Sequence, residues 1–371
     1  MSVLALCGGV AGCGSSPSHA GDANADADAI HADAAAPPPC RAFDITVPVS
    51  SPSPVFWTGS EYLLLSQAQP GVIERISSDG TPGPTFPLGV DVGPFTPLAW
   101  TGSELGVLSA SSGGLVLSRF AADGTARGTS TVATGVDNVA RGLVWAGDRY
   151  LAGWNVPTQS VAIEEIDADG TPAATHLFRS GSPDVGGVSF NTIDAIAATS
   201  TTFLVEVSYN AGTPAYVTID RASGALAHYN PRTSFAPTEV LARTTDFVFF
   251  TDDADRPSMD GPGLVTLDAR ATPTYGPLLP ALNASDLIAV PSGYRLSTAT
   301  VDNNTMTYAI QKLDLDPDGA PLGALTQIAT APSNMSFGYP GATFRGNGIL
   351  TAFEYGPNGA WTQHLIQECL P

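Results

Sequence analysis

A phrase repeated every forty-odd residues is the feature that most constrains the fold of this chain. "WTGSEYLLL" begins at Trp57, "WTGSELGVL" at Trp100 and "WAGDRYLAG" at Trp145. Weaker copies place four further residues in the tryptophan column: Ala198, Ala242, Ala289 and Phe344. Steps of 43 to 55 residues are typical of propeller blades or helical arrays, and the 3.6-residue periodicity of helices is absent. The repeat therefore predicts seven similar β-rich units.

Each clear copy contains four strand-like runs. In the second copy these are "PLAW", "LGVLS", "LVLSRFAA" and "TSTVAT", which are short, largely aliphatic or β-branched, and separated by turn residues. A "DG" pair precedes the fourth run at Asp79-Gly80, Asp123-Gly124, Asp169-Gly170 and Asp318-Gly319, where glycine can adopt a positive φ. Residues 40–371 are therefore predicted to form an all-β, seven-bladed β-propeller with four-stranded antiparallel blades. Six or eight blades are the alternatives.

The two ends of this domain are predicted to share the last blade. The seventh copy has room for only three strands, so the run from Phe43 to Val49 is expected to supply the fourth and close the ring. Cys40 lies just before that run and Cys369 just after the last strand of the chain. We expect a disulfide between Cys40 and Cys369, replacing the missing turn, in an oxidising compartment.

The first residues resemble an export signal. Residues 1–12 are small and apolar, although the usual basic start is missing, and "VAGC" (Val10 to Cys13) resembles a bacterial lipobox. That resemblance implies a signal peptide over residues 1–12, acylation of Cys13 and an outer-membrane lipoprotein on either side of that membrane. Residues 13–39 are rich in Ala, Asp and Pro, which predicts a disordered tether. The "WTGxEY" and "R…DG" phrases also resemble predicted bacterial lipoproteins that carry a seven-bladed propeller; this resemblance implies no specific activity.

Charge excludes several classes of partner. The chain has 35 acidic residues against 15 Lys and Arg, a formal net charge of −20. Such a surface repels nucleic-acid phosphates and anionic lipid headgroups, and no apolar run is long enough to span a membrane. The lipid anchor is therefore the only membrane contact that we expect, and the chain is expected to be a monomer.

The loops predict which face of the propeller binds a partner. Turns between first and second strands and between third and fourth strands share one face and are short. Connections on the opposite face vary in length, as in "RSGSPDVGGVSFNT" and "TDDADRPSMDGPG", and variable loops on a rigid scaffold commonly carry recognition. The tether is expected to enter on the short-turn face, so the variable loops would point away from the membrane. The candidate binding residues on the variable face are Trp154, Asp252, Asp253, Asp255, Arg256, Asp260 and Trp361.

The sequence contains no recognised catalytic or zinc-binding motif. "DLDPDG", from Asp314, begins like a calcium loop, but position 12 is Leu325, so a plain turn is favoured. The repeat tryptophans Trp57, Trp100 and Trp145 are interpreted as packing residues. We assign no catalytic residue, metal or cofactor.

Carboxylates for glycoside hydrolysis could come from strand residues that are interpreted as facing solvent: Glu164, Glu165, Glu206, Glu239 and Glu354. Nothing in the sequence singles out a pair. The favoured function is a binding or scaffold module for a protein or glycan partner. The alternative is a polysaccharide hydrolase or lyase, which would need two carboxylates with an Arg or Tyr at the mouth of the central channel.

Overall fold

The computed structural model describes residues 40–370 except 50–53, 67–68, 94–95, 136–137, 157–159, 180–191, 209–213, 231–239, 254–260, 281, 283, 303–306, 333–335, 346–347 and 357–360. The predicted signal peptide and tether, including Cys13, lie outside these residues. Within them, no helix is long and apolar enough to cross a membrane.

Seven four-stranded antiparallel sheets form the molecule, one per blade. Blades 1 to 3 contain β2 to β13, which are Val55–Trp57, Glu61–Ser66, Val72–Ser77, Pro82–Pro87, Leu98–Trp100, Glu104–Ser111, Gly114–Ala121, Ala126–Thr134, Val139–Trp145, Arg149–Val156, Ser160–Asp167 and Pro172–Arg179. Blades 4 to 6 contain β14 to β25, which are Thr192–Ala198, Thr202–Ser208, Pro214–Asp220, Leu226–Tyr229, Leu241–Ala242, Asp246–Asp253, Gly261–Asp268, Pro273–Leu278, Ala284–Val290, Gly293–Asp302, Thr307–Leu315 and Thr326–Pro332. Blade 7 contains β26 (Ser336–Arg345), β27 (Gly348–Gly356), β28 (Trp361–Cys369) and β1 (Phe43–Val49).

The predicted repeat and blade count are confirmed. All seven residues of the tryptophan column lie in or at the end of the first strand of a blade. First strands of neighbouring blades contact one another, for example β10 with β14 and β22 with β26, so they surround the centre of the ring. The fourth strands lie outermost, and β5 and β9 are largely exposed.

The predicted ring closure is also confirmed. β1 pairs antiparallel with β28 from Phe43 opposite Gln367 to Val49 opposite Trp361. A disulfide joins Cys40 to Cys369, whose Cα atoms are 5.6 Å apart. The bond stands where other blades have a turn between their third and fourth strands, which places residue 40 on the short-turn face.

The "DG" pairs form turns, as predicted. Gly80, Gly124, Gly170 and Gly319 all have φ between 77° and 90°. A side chain at Gly124 would place its Cβ 2.6 Å from Cβ of Phe86 in the preceding blade, so these turns also pack against a neighbouring blade. Three connections on this face depart from the pattern. In blade 4, residues 221–225 contain no "DG" pair and Gly224 has the positive φ. Ala271 takes the positive φ in blade 5, and residues 316–325 form a longer connection in blade 6.

Neighbouring blades bury apolar side chains on both faces of each sheet. In blade 4, Phe203 and Val205 pack against blade 3, whereas Leu204 and Tyr216 pack against blade 5. The repeat tryptophans belong to these layers, as predicted: Trp100 is buried in a cluster between blades 1 and 2, and Trp57 and Trp145 pack against further clusters. The inner strands of a blade are therefore covered by neighbouring blades on both faces along most of their length.

Candidate functional site

Ion pairs cover the short-turn face. In four blades, oppositely charged residues join the second strand to the third, namely Glu61 with Arg75, Glu104 with Arg119, Arg149 with Glu165, and Arg295 with Asp314. Arg221 of blade 4 also reaches Glu165 and Asp148 of blade 3, at 3.0 and 2.9 Å. These charges pair with one another and connect strands and neighbouring blades on this face.

Apolar exposure is concentrated on the opposite face, here called the loop face. Four large hydrophobic residues are exposed in the described part of the chain, and three of them, Val139, Leu278 and Val301, lie at strand ends on the loop face. Leu322, in the long connection of blade 6, is the one on the short-turn face. Connections on the loop face range from residues 112–113 to residues 180–191.

The predicted binding residues occupy different environments. Trp154 is only 3% exposed and packs in the core between blades 2 and 3. It is therefore a packing residue, and our assignment of it to a binding surface needs correction. Asp252 and Asp253 end β19, and Trp361 begins β28, all at the loop face. Asp255, Arg256 and Asp260 lie outside the described residues.

The interpretation of the strand glutamates as solvent-facing was wrong. Glu164, Glu165, Glu206 and Glu354 are all buried, because the inner strands are covered by neighbouring blades on both faces. Glu239 lies outside the described residues. The negative charge of Glu165 is compensated by Arg149 and Arg221.

Glu206 belongs to a polar row that crosses blade 4. It lies opposite Ala195 of β14 and Tyr216 of β16, and Tyr216 lies opposite Tyr229 of β17. A β-bulge interrupts β14 between Ile193 and Ala195.

The bulge decides where Asp194 points. Ile193 and Ile196 pack toward blade 3, whereas Ala195 packs toward blade 5. Because the extra residue breaks the alternation, Asp194 and Ala195 both lie on the face that carries Glu206. Two carboxyl groups are thereby brought together beside the innermost strand.

Blade 5 covers this row with aromatic and hydroxyl groups. Phe249 stacks on Tyr216 with ring centroids 4.3 Å apart. Thr251 lies two residues further along β19, so it also points toward blade 4. It is 2% exposed, and its buried Oγ1 has no hydrogen-bond partner among the residues that the structure describes.

Burial and a like charge act together on Glu206. Desolvation raises its pKa well above the ordinary value of 4.5, and the negative charge of Asp194 raises it further. The two carboxyls therefore resist ionising together.

Replacing Glu206 with Gln should stabilise the fold at alkaline pH. Because the pKa of Glu206 is raised on folding, the folded state holds more protons than the unfolded state above pH 4.5, and stability falls as pH rises. Glu206→Gln removes this loss. Its advantage in urea midpoint over the wild type should grow from pH 4.5 upward and level off above the folded pKa.

Asp79→Asn is a control for which we expect the opposite dependence of stability on pH. Hydrogen bonds, first from Ser77 and then from Thr81, lower the pKa of Asp79 to about 2, so that carboxylate contributes stability which is lost as pH falls. Its replacement should destabilise the chain at neutral pH and have little effect near pH 2. A Glu206→Gln advantage that is independent of pH would contradict the proposed proton balance.

The calcium-like sequence "DLDPDG" forms a turn, as favoured from the sequence. Asp314 pairs with Arg295, and Oδ1 of Asp316 accepts hydrogen bonds from the backbone N–H groups of Asp318 and Ala320. Within the residues that the structure covers, no group of three or more His, Cys, Asp or Glu residues is placed to hold a metal ion.

Comparisons with known proteins show the fold alone. No protein-family model and no curated protein matches the chain. Among solved structures, it is similar to hydrazine synthase from Kuenenia stuttgartiensis at 14% identity and a TM-score of 0.53, covering 80% of this chain and 90% of that chain. It also matches the Dos1 propeller at 11% identity and a TM-score of 0.48, covering 84% and 78%. A mutant of the Synechocystis apocarotenoid oxygenase matches at 14% identity and a TM-score of 0.45, covering 75% of this chain and 73% of the oxygenase chain.

Proposed function

We propose that this chain is a lipid-anchored module of the bacterial cell envelope that binds a protein or glycan partner through its loop face. The main support for this proposal is the difference between the two faces of the propeller. The short-turn face is occupied by tight turns, ion pairs and the disulfide, whereas the loop face has unequal connections and three of the four exposed large hydrophobic residues in the described chain. Acylation of Cys13 would supply the anchor.

The position of Cys40 supports one orientation on the membrane. The tether of residues 13–39 joins the propeller there, on the short-turn face. A flexible coil of this length spans roughly 25–30 Å. The loop face is therefore directed away from the membrane and is accessible to partners in solution or on a neighbouring surface.

A matched pair of surface variants tests the binding face. Both variants are made in the full chain carrying Cys13→Ser, which should no longer sediment with membranes. Val301→Arg changes a residue that is 47% exposed on the loop face, and Leu322→Arg changes a residue that is 55% exposed on the short-turn face. We expect Val301→Arg to weaken retention of the partner, identified on a glycan array or from an envelope extract, by at least about tenfold, or ~1.4 kcal/mol. Leu322→Arg should leave it unchanged. The reverse pattern, or equal binding by both variants, would overturn the proposal.

One observation favours a second candidate, a polysaccharide hydrolase or lyase. Asp194 and Glu206 are two carboxyls beside the innermost strand of blade 4, with Tyr216 next to Glu206. Glycoside hydrolysis uses such a pair, with one carboxyl protonated and one ionised. Release of oligosaccharides by the wild type but not by Glu206→Gln would support this candidate over simple binding.

A further inference from the structure

Three polar residues between blades 4 and 5 occupy one layer below the loop face. Asp194 lies two residues after the start of β14, Glu206 two residues before the end of β15, and Thr251 two residues before the end of β19. These strand ends all lie at the loop face. At about 3.3 Å per residue, the layer lies roughly 7 Å below that edge of the sheets.

The side chains of this layer converge on the interface between the two blades. Asp194 and Glu206 lie on the face of blade 4 that packs against blade 5, and Asp194 is close enough to raise the pKa of Glu206. Thr251 lies on the same face of β19 as Phe247 and Phe249, both of which pack against blade 4. All three side chains therefore enter the same space.

The hydroxyl of Thr251 indicates that this layer has spare hydrogen-bonding capacity. A buried hydroxyl without a partner carries an uncompensated desolvation cost, and most buried polar atoms in folded proteins avoid that cost. An occupant that donates a hydrogen bond to Oγ1 would remove it. The adjacent carboxyls, which accept when ionised, favour an occupant that is positively charged and has several donors.

We propose that Asp194, Glu206 and Thr251 form a binding site for the ammonium group of a lysine side chain supplied by a protein partner, an inference that rests on the proposed use of the loop face. Lysine has three N–H donors, one for each of these groups. Its four-carbon stem suits the depth of the layer.

The charge of the whole chain agrees with this partner. At −20, it attracts basic surfaces and speeds their encounter. A neutral glycan offers donors but no charge for the carboxyls. Calcium takes six to eight oxygen ligands, more than these three side chains supply.

Alkylammonium probes test the site directly. In the full chain with Cys13→Ser, thermal unfolding is followed with n-butylammonium chloride, n-butyltrimethylammonium chloride, calcium chloride or glucosamine, all at one ionic strength. We expect n-butylammonium to raise the midpoint, and more at pH 8 than at pH 5, because the carboxyls must ionise to accept its donors. The trimethyl compound carries the same charge without N–H groups and should have little effect. Equal shifts with both ammonium probes, or a larger shift with calcium or glucosamine, would overturn the proposal.

Variants separate binding from structural effects. Thr251→Val should raise the stability of the unliganded protein, because an unpaired hydroxyl becomes a methyl group, yet weaken n-butylammonium binding several-fold. Glu206→Gln should weaken it at least about tenfold, whereas Glu354→Gln, a buried glutamate of blade 7, should not. Unchanged binding by Thr251→Val and Glu206→Gln would reject the ammonium site. If Val301→Arg still abolished partner capture, the loop-face function would stand without it.

Discussion

The Cys40→Ser/Cys369→Ser double variant should unfold about 3–5 kcal/mol more easily than the wild-type chain. The bond closes a loop of 329 residues, for which chain entropy alone gives an upper value of roughly 6 kcal/mol. Its position adds to the effect, since β1 is an outermost strand whose one neighbour among the described strands is β28. Without the disulfide, the ring is closed by that ladder and by packing of side chains such as Val47 against blade 1.

Urea unfolding with and without reductant measures the contribution of the bond. The wild type in dithiothreitol should match the double variant without it, whereas Cys7→Ser/Cys13→Ser should keep the wild-type midpoint in both conditions. Backbone amides of β1 should lose hydrogen-exchange protection before those of β27. If the double variant retained the wild-type midpoint, the ladder between β1 and β28 would be sufficient to close the ring.

The fold could be predicted because its signals are local and repeated. A tryptophan followed by a three-residue turn, and a "DG" pair that permits a positive φ, each specify a reversal of the chain within a few residues. Repetition then supplies the long-range information, since units of one size must stack on one another. The closure needed only the observation that the last unit lacks a strand and that a cysteine lies at each of the two ends.

The site could not be predicted because its residues have an ordinary strand pattern. In "FLVEVS" (Phe203 to Ser208), Glu206 alternates with apolar residues as it would on a half-exposed sheet. That interpretation assumes one face in water, whereas blades cover both faces of β15. Nor does alternation reveal the bulge that turns Asp194 toward Glu206, because a bulge depends on the pairing of two strands.

The ion pairs, in contrast, left a readable signal. Blades 1 and 2 place Glu at the start of the second strand and Arg in the third, at Glu61 with Arg75 and Glu104 with Arg119. Blade 3 reverses both charges together, with Arg149 and Glu165. Opposite charges that exchange places between copies of a repeat indicate contact. In blade 6 the equivalent position is Gly293, so this comparison would not have pointed to Arg295, which lies two residues further along β23.

Replacing Arg295 with Met should cost about 3 kcal/mol of stability, at the lower end of the range for breaking a buried ion pair. The Arg295 side chain is 4% exposed. Its Nε and Nη2 donate to Asp314 at 2.6 and 3.1 Å, and its Nη1 donates to Glu368 at 2.6 Å. It therefore joins blade 6 to blade 7 next to the closing disulfide. The loss stays near the lower end because both carboxylates retain some water contact and Lys312 also pairs with Glu368.

Two further variants show whether the geometry of Arg295 matters. Arg295→Lys keeps the charge but cannot donate to two carboxylates through a planar fork, so it should lose most of the same stability. Arg127→Met removes an arginine that is 54% exposed and 3.9 Å from Glu104, and should cost less than about 1 kcal/mol. Urea midpoints in oxidising buffer give the comparison. If Arg295→Lys retained the full wild-type stability, charge alone would hold the two blades together. Arg295→Met can also be combined with Cys369→Ser. A loss of stability in that combined variant smaller than the sum of the two single losses would show that the ion pair and the disulfide stabilise the same closing contact.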